Sequence, residues 1–388
     1  MIRLRPMRAR DAGESHRTAT NLELFFDLCF VVAVSFAGSQ LHHALSEGHL
    51  AQGVLGYLTT FFAIWWAWMN HTWFASAYDN DDWLFRLTTL VQMSGVLVLA
   101  AGVPRAFQDH DFRVVYAGYL IMRLAMAAHW LRAACGDPAG RRTAVRYAVG
   151  ICLAQAGWIP LLVVPGEWYL AAFAFGVVLE LSVPVWAERG SPTAWHPHHI
   201  AERYGSFTII MMGENVLAAT VAFQGEARGG GLRPELIVLA LGALVIAFAM
   251  WWLYFDPPTA DILDSTRRAI LWGYGHYAVF AAVGAFSAGV EVAIDFESGT
   301  AHLSGTGAAL AVSVPVAVFL FMVWLLHVRP HRYGAADSAA FLGAAVLVLL
   351  SALTPTPVPL IAVVLVALVI VTGVTRREAR RPASGALG

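Results

Sequence analysis

The amino-acid sequence predicts an all-α, polytopic integral membrane protein of about twelve transmembrane helices, built as two six-helix repeats. Three observations predict it. Of 388 residues, 58% are hydrophobic and only 13% charged, with a mean hydropathy of +0.62, and the apolar runs approach the roughly 20 residues that cross a bilayer core. All 25 basic residues are arginine, and they crowd onto alternate connections, as they do when positive charge stays on the cytoplasmic side. The run Phe62-Ala63-Ile64-Trp65-Trp66 returns 186 positions later as Phe248-Ala249-Met250-Trp251-Trp252, which points to a duplication.

Residues 1–21 form an arginine-rich cytoplasmic segment without the short apolar core and cleavage site of a signal peptide. The first span, 22–45, opens with Thr20-Asn21-Leu22-Glu23, a capping box in which threonine and glutamate satisfy amides at a helix start. Spans follow at 50–74, 86–103, 112–134, 144–164 and 167–187, completing a first repeat over 22–187. A cytoplasmic linker, 188–198, leads through His196-Pro197-His198-His199, histidines expected to be solvated because no cysteine or carboxylate stands at metal-ligand spacing. The second repeat, 199–374, has spans at 199–223, 233–255, 268–290, 304–327, 337–353 and 357–374. Residues 375–388 form a cytoplasmic tail whose basic run, Arg376 to Arg381, suits anionic lipid.

Only Arg105, Arg113, Arg228 and Arg233 fall on outer loops, and Arg123 lies inside the fourth span. The others fall on the cytoplasmic side, which gives both termini to the cytoplasm and requires an even number of spans. Within the repeat, Glu23 corresponds to Glu202 and Arg86 to Arg268. Six spans per half relate the halves by a pseudo-twofold along the membrane normal, with the first and seventh helices facing each other near that axis.

Ionisable residues inside spans mark candidate routes for solutes. Asp27 lies one turn beyond Glu23 on the same helical face, too deep for capping, where a carboxylate costs roughly 2.5–3.5 kcal/mol. Glu214 follows Glu202 by twelve residues, about 18 Å along a helix and near mid-bilayer. Glu180 stands about two turns from the inner end of its helix, within reach of interfacial water. Arg123 cannot shed its charge and must face a carboxylate, carbonyls or water; Glu214, Asp27 and Glu180 are its candidate partners. Trp65, Trp66, Trp68, Trp73 and Phe74 read as an interfacial aromatic belt, with Asn70 and His71 at its edge and His276 in the ninth span as further candidates to line a polar path.

The run Leu22-Glu23-Leu24-Phe25-Phe26-Asp27-Leu28, the Trp-rich segment through Asn70-His71, the loop Tyr78-Asp79-Asn80-Asp81-Asp82, and Glu202-Arg203-Tyr204-Gly205 leading to Gly213-Glu214 resemble the bacterial low temperature requirement protein A (LtrA) family. This resemblance covers nearly the whole chain and implies a multi-pass protein of the bacterial inner membrane, without naming an activity. Glu23, Phe25, Asp27, Phe30 and the following Val31–Ser35, with Trp68-Met69-Asn70-His71 and Phe74, also resemble motifs of the six-plus-six-helix potassium channels of prokaryotes and lysosomes. The departures are Asn21 where those channels carry arginine, Phe26 in place of serine, and Tyr204-Gly205-Ser206 without an aspartate.

Absence of lysine excludes Schiff-base chemistry and a Walker-type phosphate loop. No GxSxG, HExxH or Gly-rich nucleotide motif is present, and Cys29, Cys135 and Cys152 lack CxxC pairing and are expected as free thiols. No cofactor, metal, catalytic residue or nucleic-acid partner is expected. The favoured reading is a transporter or channel passing a small solute or ion, with the lipid bilayer as its surroundings and homo-oligomers left open. The alternatives are a membrane-embedded enzyme acting on a lipophilic substrate and a non-transporting assembly or signalling subunit.

Overall fold

A bilayer offers backbone amides no water, so a spanning segment must satisfy its own hydrogen bonds, which a helix does. The computed structural model describes residues 5–11, 14, 18–109, 111–228, 233–331 and 333–379, with backbone alone for 221–228 and 377–379. Arg3, Arg17, Arg332, Arg380 and Arg381, counted above on the cytoplasmic side, lie outside the described residues. Among the described residues there is no strand, and twelve long helices run α1 (Asn21–Ser46), α2 (Leu50–Ala77), α3 (Trp83–Gln108), α4 (Arg113–Gly136), α5 (Arg141–Gly157), α6 (Tyr169–Ala187), α7 (Pro197–Arg228), α8 (Pro234–Phe255), α9 (Thr266–Ser298), α10 (Gly305–Val323), α11 (Ala335–Leu350) and α12 (Pro357–Ala379). Beyond Val323, α10 continues through a π turn, Trp324–Val328, to Arg329–His331.

Among the described residues eleven of these helices, α5 and α11 together with the short turns that extend them, are long and apolar enough to cross a membrane. The protein is therefore a multi-pass, all-α membrane protein. Helix α7 carries Glu202, Arg203, Glu214 and Asn215 along its 32 residues. Local chemistry fixes several helix ends. Asp82 caps α3 by accepting the Phe85 amide at 2.9 Å, Ser304 caps α10 through the Gly307 amide, and Gly299 ends α9 with a φ of 74°, a left-handed conformation that suits glycine. The ninth span is longer than expected. Helix α9 runs on to Ser298 through a stretch read as outer loop, since Val292 and Ala293 are buried and Glu291 and Asp295, four apart, both face His42.

The chain divides into two compact units: residues 1–40 with 54–207, and residues 41–53 with 208–388. Helices α1 and α7 each begin in the first unit and end in the second. In the first, α3 and α4 approach so closely that a Cβ on Gly118 would collide with the backbone of Leu99 and Gly95, the close small-residue packing that membrane helices favour. In the second, Gly289 of α9 meets the backbone of Ala311 on α10 in the same way.

The aromatic segment of α2 is no interfacial belt. Trp65, Trp66, Trp68 and Phe74 are buried, because the indole N–H groups of Trp66 and Trp68 are spent on carboxylates inside the first unit. Arg376 is likewise removed from the lipid-facing basic tail: it is buried, pairs with Asp256 of α8, lies 3.6 Å from Asp337 of α11, and stacks over Tyr333.

Candidate functional site

In the first unit α1 and α7 meet through two matched pairs spaced one helical turn apart. Glu23 and Asp27 share a face of α1, and His199 and Arg203, also four apart, share a face of α7. His199 Nε2 lies 3.0 Å from Glu23 Oε1, and Arg203 Nη2 donates to Asp27 Oδ1 at 2.6 Å. Arg203 Nε is 3.9 Å from Glu23, so the guanidinium bridges both acids. Trp68 of α2 adds a second donor to Asp27 Oδ1 at 2.7 Å and stacks on Phe207 of α7 with ring centroids 4.4 Å apart.

Glu23 also completes the capping box: its Oε2 accepts from the Thr20 amide at 2.8 Å while Thr20 Oγ1 accepts from the Glu23 amide at 3.2 Å. Glu202 has a different task from its counterpart. Helix α7 begins earlier than expected, at Pro197, and Glu202 accepts the Ala19 amide just before α1. Of the histidines before it, His198 is exposed as expected, but His196 and His199 are buried, His196 against the Glu14 carbonyl.

Asp27 is fully buried, yet its Oδ2 has no hydrogen-bond partner among the described residues, and neither do Nε and Nη1 of Arg203. A buried polar group left unpaired costs about 1–3 kcal/mol. The rings of Phe26 and His71 stack with centroids 4.1 Å apart. His71 is fully buried and takes a hydrogen bond at Nδ1 from Gln92 of α3, whereas Asn70 bonds back to the Trp66 carbonyl of its own helix.

The second buried carboxylate of this unit is Glu180 on α6, and the partner of Arg123 is Glu180, not Glu214 or Asp27. Its position near the helix end does not bring it to water. Five donors enclose it: Arg123 at 2.6 Å and Trp66 at 2.9 Å on Oε2, with Tyr119 at 2.8 Å, Gln155 at 3.0 Å and Trp158 at 3.3 Å on Oε1. Arg123 also lies over the Tyr119 ring.

Outside the spans, the turn between α2 and α3 holds Asp81 and Asp82. The Arg86 fork keeps the Asp81 carboxyl below the usual carboxylate range. Burial alone would raise Asp82, but hydrogen bonds from Arg132 and the Phe85 amide outweigh it and leave Asp82 lowered.

In the second unit, Glu214 on α7 is half-buried, and its carbonyl accepts from Ser287 of α9 at 3.2 Å. The next residue, Asn215, is fully buried with neither amide atom hydrogen-bonded among the described residues. His276 of α9 is also fully buried. Its Nδ1 faces the Trp272 carbonyl at 2.8 Å, which can only accept, so that nitrogen carries the proton and Nε2 accepts from the Tyr254 hydroxyl at 2.9 Å. At the far ends of α8, α9 and α10 a cavity of about 630 Å³ opens between Glu235, Leu239, Ala293, Glu297 and Ala308. His42, at the end of α1, sits between Glu291 and Asp295 at 3.0 and 2.7 Å. Among the described residues no group of three or more histidine, cysteine or acidic side chains is arranged for a metal ion.

Sequence reasoning missed Arg203, His199, Gln155 and Asn215. For the first two a signal existed: His199 and Arg203 repeat the four-residue spacing of Glu23 and Asp27 with opposite charge. In the sequence alone His199 reads as a solvated histidine beside the linker and Arg203 as one of the arginines of the cytoplasmic side.

The profile of the bacterial low temperature requirement A proteins matches residues 18–372 of this chain. An uncharacterized protein of Rhizobium meliloti (strain 1021) is 28% identical over 287 residues, covering 68% of this chain and 67% of that protein.

Proposed function

The chain belongs to the bacterial low temperature requirement A family, and from that premise we propose that it passes a small ion or polar solute across the bacterial inner membrane, with both termini in the cytoplasm. The observation that carries this reading is Asp27: a fully buried carboxylate on a membrane-spanning helix, with both donors on one oxygen and the other oxygen unpaired. The neighbouring guanidinium keeps two nitrogens without a hydrogen bond. An open acceptor beside open donors suits transient coordination of water or a small charged species, which must be held weakly enough to leave.

In the second unit α7 carries Thr208, Glu214 and Asn215, polar side chains that suit a helix lining a route. Glu180 takes no direct part: with five donors its oxygens have no capacity left for a solute.

Purified protein reconstituted into liposomes should move at least one of potassium, sodium, chloride or protons faster than protein-free vesicles. Vesicles that match empty controls for all of these and for small polar solutes would remove the transport reading and leave the enzyme and assembly readings.

A further inference from the structure

Titratable side chains at one end of α8–α10 form a string that the transport reading leaves unused. His331, at the end of the extended α10, is half-buried, and His327 one turn earlier is fully buried. His327 lies within the π turn Trp324–Val328, a widened turn that recurs at functional sites. Its ring centroid is 5.5 Å from that of His276 and 4.8 Å from that of Tyr254. Tyr254 reaches His276 Nε2 at 2.9 Å and is hydrogen-bonded by Thr208 of α7. Thr208 and Asn215 are seven residues apart, so they share a face of α7 about 10 Å from one another.

His327 Nε2 is buried and has no hydrogen-bond partner among the described residues, and its Nδ1 has only Thr259 Oγ1 at 3.5 Å. No carboxylate among the described residues pairs with His327. The acids at the same end are engaged elsewhere, Asp256 of α8 and Asp337 of α11 both by Arg376 of α12. Arg329, the cation of α10 itself, lies over Trp324. An imidazole without a fixed counter-charge is not trapped as an imidazolium, so a proton that reaches it passes on.

We propose that His331, His327, His276 and Tyr254 form a proton path between the end of α10 and the polar face of α7. At each hop one N–H or O–H bond forms as its neighbour breaks, and the charge moves by one group without any redox change. The proposal rests on the transport reading and deepens it: movement of the solute past α7 is proton-coupled.

The full chain in liposomes with a trapped pH-sensitive dye, driven by a potassium-valinomycin potential, reads the path directly. Wild type should conduct protons, and His327→Gln, His276→Gln and Tyr254→Phe should each lower the flux about tenfold or more while eluting as a monodisperse species. His331→Gln, at the half-buried end, should lower it in the same sense and serves where a buried variant misfolds. Proton flux unchanged in these variants overturns the path, as does a wild type that moves potassium, sodium or chloride but no protons, an outcome that leaves the transport reading standing. If wild type moves nothing, the transport reading falls and ¹⁵N-histidine spectra in nanodiscs decide: a His327 ring that exchanges between its two tautomers sustains the path, and a single fixed tautomer overturns it.

Discussion

Glu180 and Asp27 are both fully buried carboxylates of the first unit, each paired with one arginine and at least one tryptophan. They differ in how completely they are satisfied. Glu180 accepts from five donors spread over both oxygens, whereas Asp27 accepts from two donors on the same oxygen. Both guanidiniums keep two nitrogens without a hydrogen bond, so the contrast lies in the acids. A saturated buried ion pair fixes how helices pack, and its attraction returns little more than the desolvation it costs. A half-satisfied one keeps a binding capacity that packing does not use.

The largest effect should fall on the saturated pair. Glu180→Gln leaves Arg123 charged and without its acid, and Arg123→Leu strands the carboxylate, so each should cost about 3–5 kcal/mol. The double variant Arg123→Leu with Glu180→Leu should unfold less readily than either single variant in detergent. Additive losses would show that the pair is not coupled.

Asp27→Asn should be milder, about 1–3 kcal/mol, because the amide oxygen still accepts from Trp68 and Arg203 retains Glu23 at 3.9 Å. Thermal unfolding of the two variants side by side checks the order; an Asp27→Asn loss as deep as that of Glu180→Gln would erase the distinction. Smaller still is Asn215→Leu: replacing an unsatisfied amide by an apolar group of similar size should leave stability unchanged or raise it by about 1 kcal/mol, while flux falls. A destabilised variant would mean that Asn215 is held by a partner.

How much of this was legible in the sequence depended on whether the physics was local. Helix number and most boundaries follow from apolar runs, and the capping box at Thr20 and Glu23 follows from a three-residue spacing, so both could be read. The partner of Arg123 is set by how α4 and α6 pack, and no local pattern separates Glu180 from Glu214. Burial of Trp66 and Trp68 was hidden for a related reason: an indole at a lipid interface and one donating to a buried carboxylate have the same sequence neighbourhood. The length of α9 was misread because Glu291 and Asp295 look like loop acids until His42 is placed between them.

The smallest effect is expected at the α2–α3 turn. Asp82 is lowered in the folded protein, so its contribution is present above the unfolded carboxylate range and is lost as pH falls through and below about 4. Asp82→Asn should therefore cost about 0.5–1 kcal/mol near neutral pH and flatten the acid limb of the stability profile. An acid limb identical to that of wild type would assign acid sensitivity to other groups.

The claim that an unsaturated buried acid marks the route, and a saturated one the scaffold, is tested most directly by flux per folded protein in liposomes for Asp27→Asn. Expected is a protein that purifies and unfolds cooperatively but has lost about tenfold or more of the wild-type flux, because an amide N–H now stands where the open carboxylate oxygen was. Wild-type flux in a folded Asp27→Asn protein would contradict the claim and return Asp27 to the scaffold beside Glu180.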